Sequence, residues 1–385
     1  SRPLRTEVFN VVDYGAIGDG ITDDTQAFMD AWKAACNSKS ANSTTMYIPH
    51  GKTYLLQPII FNGRCKSNNI NFQIDGKITA PSDPYDWKCD EDRCDHWIVF
   101  EHFEGRLSIH GSGTINGQGK NWWSLSCKHH QNIGFIINHS YNVHINHLRF
   151  EDSPQMHIAL ERSRNVHASN LTIQAPGNSP NTDGIHIQHS SNVFIHNTLI
   201  KTGDDCISIG DGSSHISIRD IACGPGHGIS IGSLGVNGEN ETVEFVRVRD
   251  VHLTGTTNGV RIKTWQGGKG YARNILFERI TSHGSTRPIV IDQYYCPHQY
   301  CKNETSAVQI SNVMYSQISG TSHRQIAVEL ACSESTPCTD IFMKDIHLQS
   351  TEDGDETSSY CLNVRGLRNS QVFPNVPCLL QGEDF

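Results

Sequence analysis

Between residues 181 and 263 the sequence contains three runs in which apolar and polar residues alternate: Val193-Phe194-Ile195-His196, Ile216-Ser217-Ile218-Arg219 and Val246-Arg247-Val248-Arg249. Strict alternation is typical of β-strands that bury one face and expose the other. Short polar clusters precede the runs at corresponding places. This stretch therefore predicts a series of similar strand units that follow one another along the chain.

The same pattern continues through most of the sequence. Its first apolar position falls at Val143, Val166, Val193, Ile216, Val246, Ile275, Val313 and Ile341, with looser precursors at Ile70-Phe72 and Leu107-Ile109. The spacing ranges from 23 residues (Val143 to Val166) to 38 residues (Ile275 to Val313), which is typical of a solenoid. A leucine-rich horseshoe would need a helix in each repeat and a propeller four strands, and neither pattern is present. We therefore predict an all-β, single-domain parallel β-helix over residues 1–385, without a linker.

One amphipathic helix is expected near the N-terminus, over about residues 22–36. Thr22 or Asp23 could cap it, and its apolar stripe consists of Ala27, Phe28, Ala31, Trp32 and Ala35. Such a helix would cover the open end of the solenoid, and about residues 361–385 would form a C-terminal cap or tail. Asparagines that tolerate left-handed backbone stand just before several strands, at Asn142, Asn165, Asn192, Asn274 and Asn312.

Composition places the chain outside the cell. It has thirteen cysteines in 385 residues and no apolar run near twenty residues, which favours an oxidising compartment and argues against a membrane span. Five glycosylation sequons point the same way: Asn42, Asn138, Asn170, Asn240 and Asn303. Because the sequence begins at Ser1 without a signal segment, we interpret it as a mature secreted form. The net charge of −9 argues against a nucleic-acid partner and means that an anionic ligand would need a local basic patch.

Four polar clusters carry the candidate chemistry. They are Asn181-Thr182-Asp183-Gly184, Gly203-Asp204-Asp205-Cys206, Gly226-His227-Gly228 and Arg261-Ile262-Lys263. A parallel solenoid would bring such clusters onto one face. Neighbouring carboxylates repel one another, which raises at least one pKa and lets one group act as an acid while others remain bases. That pair of roles is what glycoside hydrolysis requires.

Two other interpretations of these clusters are simpler. An Asp-Gly or Gly-Asp pair in a β-rich chain is usually a turn, and clustered aspartates also form calcium sites. Neither accounts for His227 between two glycines, which would expose the imidazole to a cleft, or for Arg261 and Lys263 on one strand face. Two such cations could hold a carboxylate of the substrate. We therefore predict no metal and no cofactor.

The four clusters, in this order and at these spacings, resemble the polygalacturonase family of glycoside hydrolases. The segment Cys223-Gly-Pro-Gly-His-Gly-Ile-Ser-Ile-Gly-Ser-Leu-Gly235 resembles its plant members in particular. The similarity extends from Phe9 to about Cys378. It implies a right-handed parallel β-helix that hydrolyses the galacturonan of de-esterified pectin with inversion.

The resemblance also implies roles for the acidic residues and the histidine. Asp204 matches the family's general acid. Asp183 and Asp205 match the pair that activates water. His227 would help to set the protonation of the acid and contact the substrate.

The substrate-binding residues implied by the resemblance are Asn181, Arg261, Lys263 and Tyr295. The first three would bind the sugar carboxylate and its neighbours. The adjacent Tyr294 leaves the choice of tyrosine open by one residue.

The cysteines fit the family's pairing and leave Cys127 over. The implied bonds are Cys36–Cys65, Cys89–Cys94, Cys206–Cys223, Cys296–Cys301, Cys332–Cys338 and Cys361–Cys378. The bond between Cys206 and Cys223 would join the Gly-Asp-Asp and Gly-His-Gly clusters and could contribute about 3 kcal/mol. The acidic loop Cys89–Cys94 departs from the pattern that the resemblance implies.

The predicted function is hydrolysis of α-1,4 bonds in homogalacturonan by a monomeric enzyme of the cell wall (the apoplast). We expect internal cleavage; cleavage from the chain end and rhamnogalacturonan hydrolysis are alternatives. Two hypotheses from other functional classes remain: a pectin or pectate lyase, and a pectin-binding wall protein without turnover. Expected partners are pectin and inhibitor proteins of the wall, with no nucleic acid and no membrane.

Overall fold

A computed structural model of the chain describes residues 6–39, 42–89, 94–125, 132–297, 300–382 and 385. The backbone contacts divide it into two compact units. Unit 1 extends to His186 and includes Asn192–Gly203, and unit 2 comprises Ile187–Ser191 and Asp204–Phe385. The expectation that residues 1–385 form a single domain stays a prediction.

Unit 1 consists of parallel strands in two sheets. The larger sheet contains Thr6–Asn10, Asp19–Asp23, Ser43–Ile48, Thr53–Leu55, Asn69–Ile74, Lys77–Thr79, Arg106–His110, Thr114–Asn116, Tyr141–Asn146, Arg149–Glu151, Arg164–Ser169, Thr172–Gln174 and Ser191–Lys201. The smaller sheet contains Ile59–Asn62, His96–Glu101, Ile133–Asn138 and Ile158–Glu161. The strand Ile185–Gln188 carries residues of both units.

The register in unit 1 follows the apolar positions of the repeat. Ile70 pairs with Leu107, Leu107 with Val143, and Val143 with Val166. All four side chains are buried. Because a shift by one residue would turn every apolar side chain outward, burial fixes this register. The predicted repeat, including its looser precursors, is confirmed here.

The helix lies at Thr25–Asn37, and its predicted apolar stripe is buried. Asp24 occupies the N-cap position, and not the predicted Thr22 or Asp23, but the Asp23 carboxylate accepts from the N–H of the first helical residue, Thr25, at 3.0 Å. The Asp24 carboxylate accepts from the N–H groups of Ile17 and Gly18, at 2.8 and 3.0 Å. A second, four-residue helix spans Lys120–Trp123. Among the described residues no helix is long and apolar enough to cross a membrane.

Unit 2 has the same parallel architecture. Its larger sheet contains Ser213–Cys223, Asn240–Thr254, Lys269–Ser285, Gln309–Ser322, Cys338–Ser350, Val364–Arg368, Val372–Phe373 and Leu380–Gln381. Its smaller sheet contains Ile207–Ile209, Ile229–Leu234, Asn258–Thr264, Arg287–Asp292, Ile326–Ala331 and Ser358–Leu362. The repeat positions pair in succession: Ile216, Val246, Ile275, Val313 and Ile341. The parallel β-helix predicted from the sequence is therefore confirmed.

Left-handed residues mark the turns before the strands. The five predicted asparagines all have φ between 52° and 61°. Within each unit some of them form side-chain ladders: Asn165 donates to Asn142 at 3.2 Å, and Asn312 donates to Asn274 at 2.6 Å. Asparagine suits this place because it tolerates left-handed backbone and can hydrogen-bond its neighbour.

The outward face of the smaller sheet differs between the two units. In unit 1 one outward column is apolar, with Ile60, Val99, Ile136 and Ala159 in register. In unit 2 an outward column is polar, with Ser208, Ser230 and Arg261 in register. The polar column of unit 2 thus supplies candidate functional side chains.

Six disulfides join the cysteines that the structure describes, and their pairing is the one implied by the resemblance: Cys36–Cys65, Cys89–Cys94, Cys206–Cys223, Cys296–Cys301, Cys332–Cys338 and Cys361–Cys378. Cys127 and residues 90–93 of the acidic loop lie outside the described residues.

Candidate active site

The predicted site residues fall in both units. Unit 1 contains Asn181 and Asp183, and unit 2 contains Asp204, Asp205, His227, Arg261, Lys263 and Tyr295. The expected meeting of Asp183 with the unit 2 aspartates stays a prediction.

In unit 1, a tightly held loop carries Asp183. Asn181 adopts φ +53°. The buried Thr182 hydroxyl lies 2.7 Å from the Ser179 hydroxyl and accepts from the Gly203 N–H at 3.0 Å. A Cβ at Gly203 would lie 1.8 Å from the Ser179 carbonyl oxygen, so only glycine allows this approach. The loop therefore has little freedom at the residue that precedes Asp183.

A buried histidine fixes the backbone of Asp183 itself. The Asp183 carbonyl accepts from the His157 backbone N–H at 2.8 Å and from His157 Nδ1 at 3.1 Å. His157 Nε2 accepts from the Ser153 N–H at 3.2 Å. Burial lowers the pKa of His157 to about 4, although its backbone hydrogen bonds act to raise the pKa. The ring is therefore neutral near pH 7, with the proton on Nδ1.

In unit 2, the carboxylate of Asp205 is buried and held by three side chains. Asp205 is 1 % exposed, and its Oδ1 accepts from the Ser230 hydroxyl at 2.9 Å and from Arg261 Nη2 at 3.1 Å. Its Oδ2 accepts from Lys263 Nζ at 3.3 Å. Arg261 Nε in turn donates to the Ser230 oxygen at 3.0 Å. All these donors need an acceptor, so the ionised carboxylate is the form that satisfies them.

Asp204 forms a more open pair with His227. Nδ1 of the histidine lies 3.4 Å from Asp204 Oδ1, and the side chains of His227 and Asp204 are 38 % and 21 % exposed. The Asp204 carbonyl also accepts from the His227 N–H at 2.7 Å. Burial raises the pKa of Asp204, but His227, the Asp205 N–H and Lys263 together lower it more, so the net pKa lies below its usual value. Of these two carboxylates, Asp204 is thus the more accessible and Asp205 the enclosed one.

The glycine after His227 is required by packing. A Cβ at Gly228, which has φ +86°, would lie 2.1 Å from the Asn258 carbonyl oxygen. Gly228 therefore lets the backbone approach the next strand closely. His227 retains a partly exposed ring, as the flanking glycines predicted.

The structure distinguishes the two candidate tyrosines. The ring of Tyr295 lies 5.1 Å from Lys263 Nζ and 5.3 Å from Trp265 in an edge-to-face contact. Tyr294 instead donates its hydroxyl to the Cys332 carbonyl at 3.2 Å. Tyr295 is therefore the tyrosine beside the cationic cluster.

Asp204, Asp205 and His227 also offer ligand atoms within 4.8 Å of one another, a group that could hold a metal ion. Asp205, however, already contacts Arg261 and Lys263. A divalent cation would be repelled by these two positive charges. The geometry therefore suits acid–base chemistry better than metal binding.

Sequence reasoning missed two residues beside the site residues of unit 2 and one beside Asp183 in unit 1. Ser230 links Asp205 to Arg261, Trp265 packs against Tyr295, and His157 holds the Asp183 carbonyl. Ser230 could have been found, because it occupies the outward position of the alternating Ile229-Ser230-Ile231. Nothing in the sequence distinguishes His157 from the other histidines.

Comparisons with known proteins agree on a family. The model of glycosyl hydrolases family 28 matches residues 36–372. A probable polygalacturonase of Arabidopsis thaliana is 44% identical, over 100% of this chain and 87% of its own length. A polygalacturonase of Malus domestica is 45% identical, over 97% and 80%.

Two solved structures share the fold. The endo-xylogalacturonan hydrolase of Aspergillus tubingensis has a TM-score of 0.80 at 22% identity, covering 98% of this chain and 99% of its own. The polygalacturonase of Erwinia carotovora has a TM-score of 0.74 at 23% identity, covering 94% and 97%. At this level of identity the likeness concerns the fold alone.

Proposed function

The chain belongs to glycosyl hydrolase family 28, and we propose that it hydrolyses the α-1,4 bonds between galacturonic acid residues of de-esterified pectin. The observation that carries this proposal is its 44–45% identity to proteins named as polygalacturonases, over 97–100% of the chain. The residues around Asp204 and Asp205 have the chemistry that such hydrolysis needs.

In this proposal Asp204 is the general acid that protonates the leaving oxygen. It is more exposed than Asp205, and His227 lies beside it. Its lowered pKa in the free enzyme means that it must gain a proton when substrate binds. A galacturonate carboxylate entering the groove brings negative charge and expels water, and both effects raise the pKa of a nearby acid. Substrate binding would thus raise the pKa of Asp204 and favour its protonated form.

Asp205, together with Asp183, would act as the base that activates water. Ser230, Arg261 and Lys263 orient the Asp205 carboxylate. Of these three, only Lys263 donates to Oδ2. That oxygen keeps a lone pair for a water molecule. Attack by water opposite the leaving group would invert the anomeric centre, although the Asp204 and Asp205 carboxylates, with oxygens within 4.8 Å of each other, lie closer than the roughly 6.5–9.5 Å typical of inverting enzymes.

Arg261 and Lys263 would bind the carboxylates of the polymer with the donors that Asp205 does not use. Arginine has five N–H donors and lysine three, and each cation gives one hydrogen bond to Asp205. Tyr295 would supply an apolar ring face, and Asn181 would contribute polar contacts from unit 1.

The site of action proposed here is the extracellular cell wall. Six disulfides support an oxidising location. We also propose internal cleavage by a monomer, with wall inhibitor proteins as further partners. Sizing of the products over time decides the mode of cleavage: a ladder of oligomers indicates endo action, and monomer from the start indicates exo action.

A reducing-sugar assay on polygalacturonic acid tests the proposal. We expect turnover that survives EDTA, yields no unsaturated product absorbing in the ultraviolet, and falls on fully methyl-esterified pectin. NMR of the first product should show inverted configuration. Absence of turnover would leave a pectin-binding protein, and a chelator-sensitive unsaturated product would indicate a lyase.

A further inference from the structure

We propose that His157 is a positioning residue for the reaction, whose neutral imidazole fixes the backbone of Asp183 through its Nδ1–H. The inference rests on the proposed function, since it concerns the placement of a residue assigned to water activation. It adds a residue that touches neither substrate nor water.

Two hydrogen bonds of the His157 ring favour one position of its proton. Nδ1 lies 3.1 Å from the Asp183 carbonyl, which can only accept, so Nδ1 carries the hydrogen. Nε2 lies 3.2 Å from the Ser153 N–H, which can only donate, so Nε2 carries none. A buried imidazole with both nitrogens satisfied is a rigid link between two backbone segments.

The link is local and strong. The carbonyl of Asp183 accepts from both the backbone N–H and the side chain of His157. His157 is 2 % exposed, so no water can replace the ring without a rearrangement of the core. Backbone groups of Thr182 and Gln174 also act on the ring and raise its pKa, against the larger effect of burial.

Loss of the Nδ1 donor would remove the side-chain hydrogen bond to the Asp183 carbonyl and keep the backbone hydrogen bond from residue 157. The side chain of Asp183 follows its backbone, so a small rotation of this peptide would move the carboxylate. A displacement of about 1 Å in a reacting group can cost roughly a hundredfold in rate. The effect should therefore be on kcat, because substrate contacts made by unit 2 residues remain.

Two substitutions separate the two ring nitrogens. In His157→Asn the side-chain amide nitrogen takes the place of Nδ1, so the donor to Asp183 is kept and the acceptor for Ser153 is lost. In His157→Gln the side-chain oxygen reaches the place of Nε2, so the acceptor is kept and the Nδ1 donor is lost. Each variant loses one buried hydrogen bond, and both should lower the melting temperature. His167→Gln, at an exposed histidine of the same unit, is the matched control.

Activity and backbone exchange should distinguish the two variants. We expect His157→Gln to lower kcat on polygalacturonic acid about tenfold to a hundredfold with little change in KM, and His157→Asn to stay within about threefold of the wild type. Hydrogen exchange measured by mass spectrometry should be faster for the amides of residues 182–185 in His157→Gln only.

A purely structural role predicts a different result. Both variants would then lose melting temperature alike and keep kcat per folded molecule, and this outcome would overturn the proposal. A loss of kcat in His157→Asn with wild-type kcat in His157→Gln would overturn it as well. An inactive wild type would contradict the proposed function instead, and hydrogen exchange would still decide whether the Nδ1 donor fixes Asp183.

Discussion

Asp205 shows how a single residue organises the cationic part of the site. Two cations and a hydroxyl surround a carboxylate that has almost no exposed surface. A buried charge of this kind is stable only when it is paired and hydrogen-bonded. Arg261 and Lys263 therefore have two tasks: they neutralise Asp205, and they hold their remaining donors in a fixed direction.

Replacing Arg261 by lysine should weaken catalysis although the charge is kept. Arg261 uses Nε for Ser230 and Nη2 for Asp205, and a single ammonium cannot reproduce this planar arrangement. The loss of charged hydrogen bonds costs about 1–3 kcal/mol, which corresponds to a fall in kcat/KM of roughly fivefold to 150-fold. Arg247→Lys, at an exposed arginine of unit 2, should keep full activity. Equal activity of the two variants would contradict the role given to Arg261.

Asp204→Asn should remove nearly all hydrolysis while the fold remains intact. The amide cannot deliver a proton to the leaving oxygen, and loss of a general acid costs roughly 10²–10⁴-fold. Initial rates on polygalacturonic acid measure the effect, and thermal melting checks the fold. Asp220→Asn changes an exposed aspartate of the same unit and should behave as the wild type. Wild-type turnover in Asp204→Asn would mean that another group is the acid.

At the scale of the strands, close backbone approach places His227. The Cβ of an alanine at position 228 would lie 2.1 Å from the Asn258 carbonyl, so the strand Asn258–Thr264 would have to move. Gly255 also has positive φ (+60°), but nothing lies within 4 Å of its Cβ position. Gly228→Ala should therefore reduce the free energy of unfolding by about 1–3 kcal/mol more than Gly255→Ala does. Urea unfolding of both variants provides the measurement, and equal stabilities would show that the approach is not tight.

The five sequon asparagines differ in how exposed they are in the fold. Asn42, Asn240 and Asn303 are exposed, whereas Asn138 and Asn170 are partly buried. Asn170 donates to Asn146 at 3.0 Å and accepts from Asn197 at 2.5 Å. A glycan on its amide nitrogen would disturb this ladder.

We therefore expect glycans at the three exposed asparagines after expression in a secreting eukaryotic host. Asn138 should remain unmodified because the hydroxyl residue of its sequon, Ser140, is fully buried in the fold, and Asn170 because of its ladder. Mass spectrometry of glycopeptides gives the occupancy directly. A high occupancy at Asn170 would show that the ladder tolerates a modified amide.

Strand register was predictable from the sequence, and the details of the site were only partly so. The alternation at Ile216, Val246 and Ile275 can bury its apolar side chains in one register only. The hydrogen bond from Ser230 to Asp205 instead joins residues that are 25 positions apart and become neighbours only when the coils of the β-helix stack. The role of His157 depends on hydrogen bonds to the backbone of Ser153 and Asp183. Backbone groups are the same at every residue, so no sequence pattern indicates these bonds. Periodic burial can thus be predicted from sequence, whereas single hydrogen bonds between coils cannot.

At the scale of the whole molecule, the charge of −9 offers no long-range attraction to a polyanion. Screening in ordinary salt reduces the repulsion beyond about 10 Å. Recognition must therefore come from cations fixed at short range, where partial burial strengthens each contact. This explains why the two cations of the site are held by Asp205 and do not extend freely into solvent.

The histidines make the stability of the molecule depend on pH. Burial lowers the pKa of His157, and burial also lowers the pKa of His110 and His144. A histidine whose pKa is lower in the folded state takes up its proton first in the unfolded state. The free energy of unfolding therefore decreases as the pH falls from about 6.5, the unfolded value, towards the folded value. Carboxylates whose pKa is lowered in the fold, such as Asp204, reduce the free energy of unfolding only when the pH falls below about 4.

We expect unfolding in urea to require about 2 kcal/mol less at pH 5 than at pH 7 on account of His157 alone, because its pKa of about 4 keeps it neutral in the fold at both pH values. His157→Asn should be less stable at pH 7 and should lose less stability between pH 7 and pH 5. His323→Asn, at an exposed histidine, should keep the dependence of the wild type. Parallel pH dependences for all three proteins would mean that His157 is not buried as a neutral group, and the tautomer assigned to it would then be wrong.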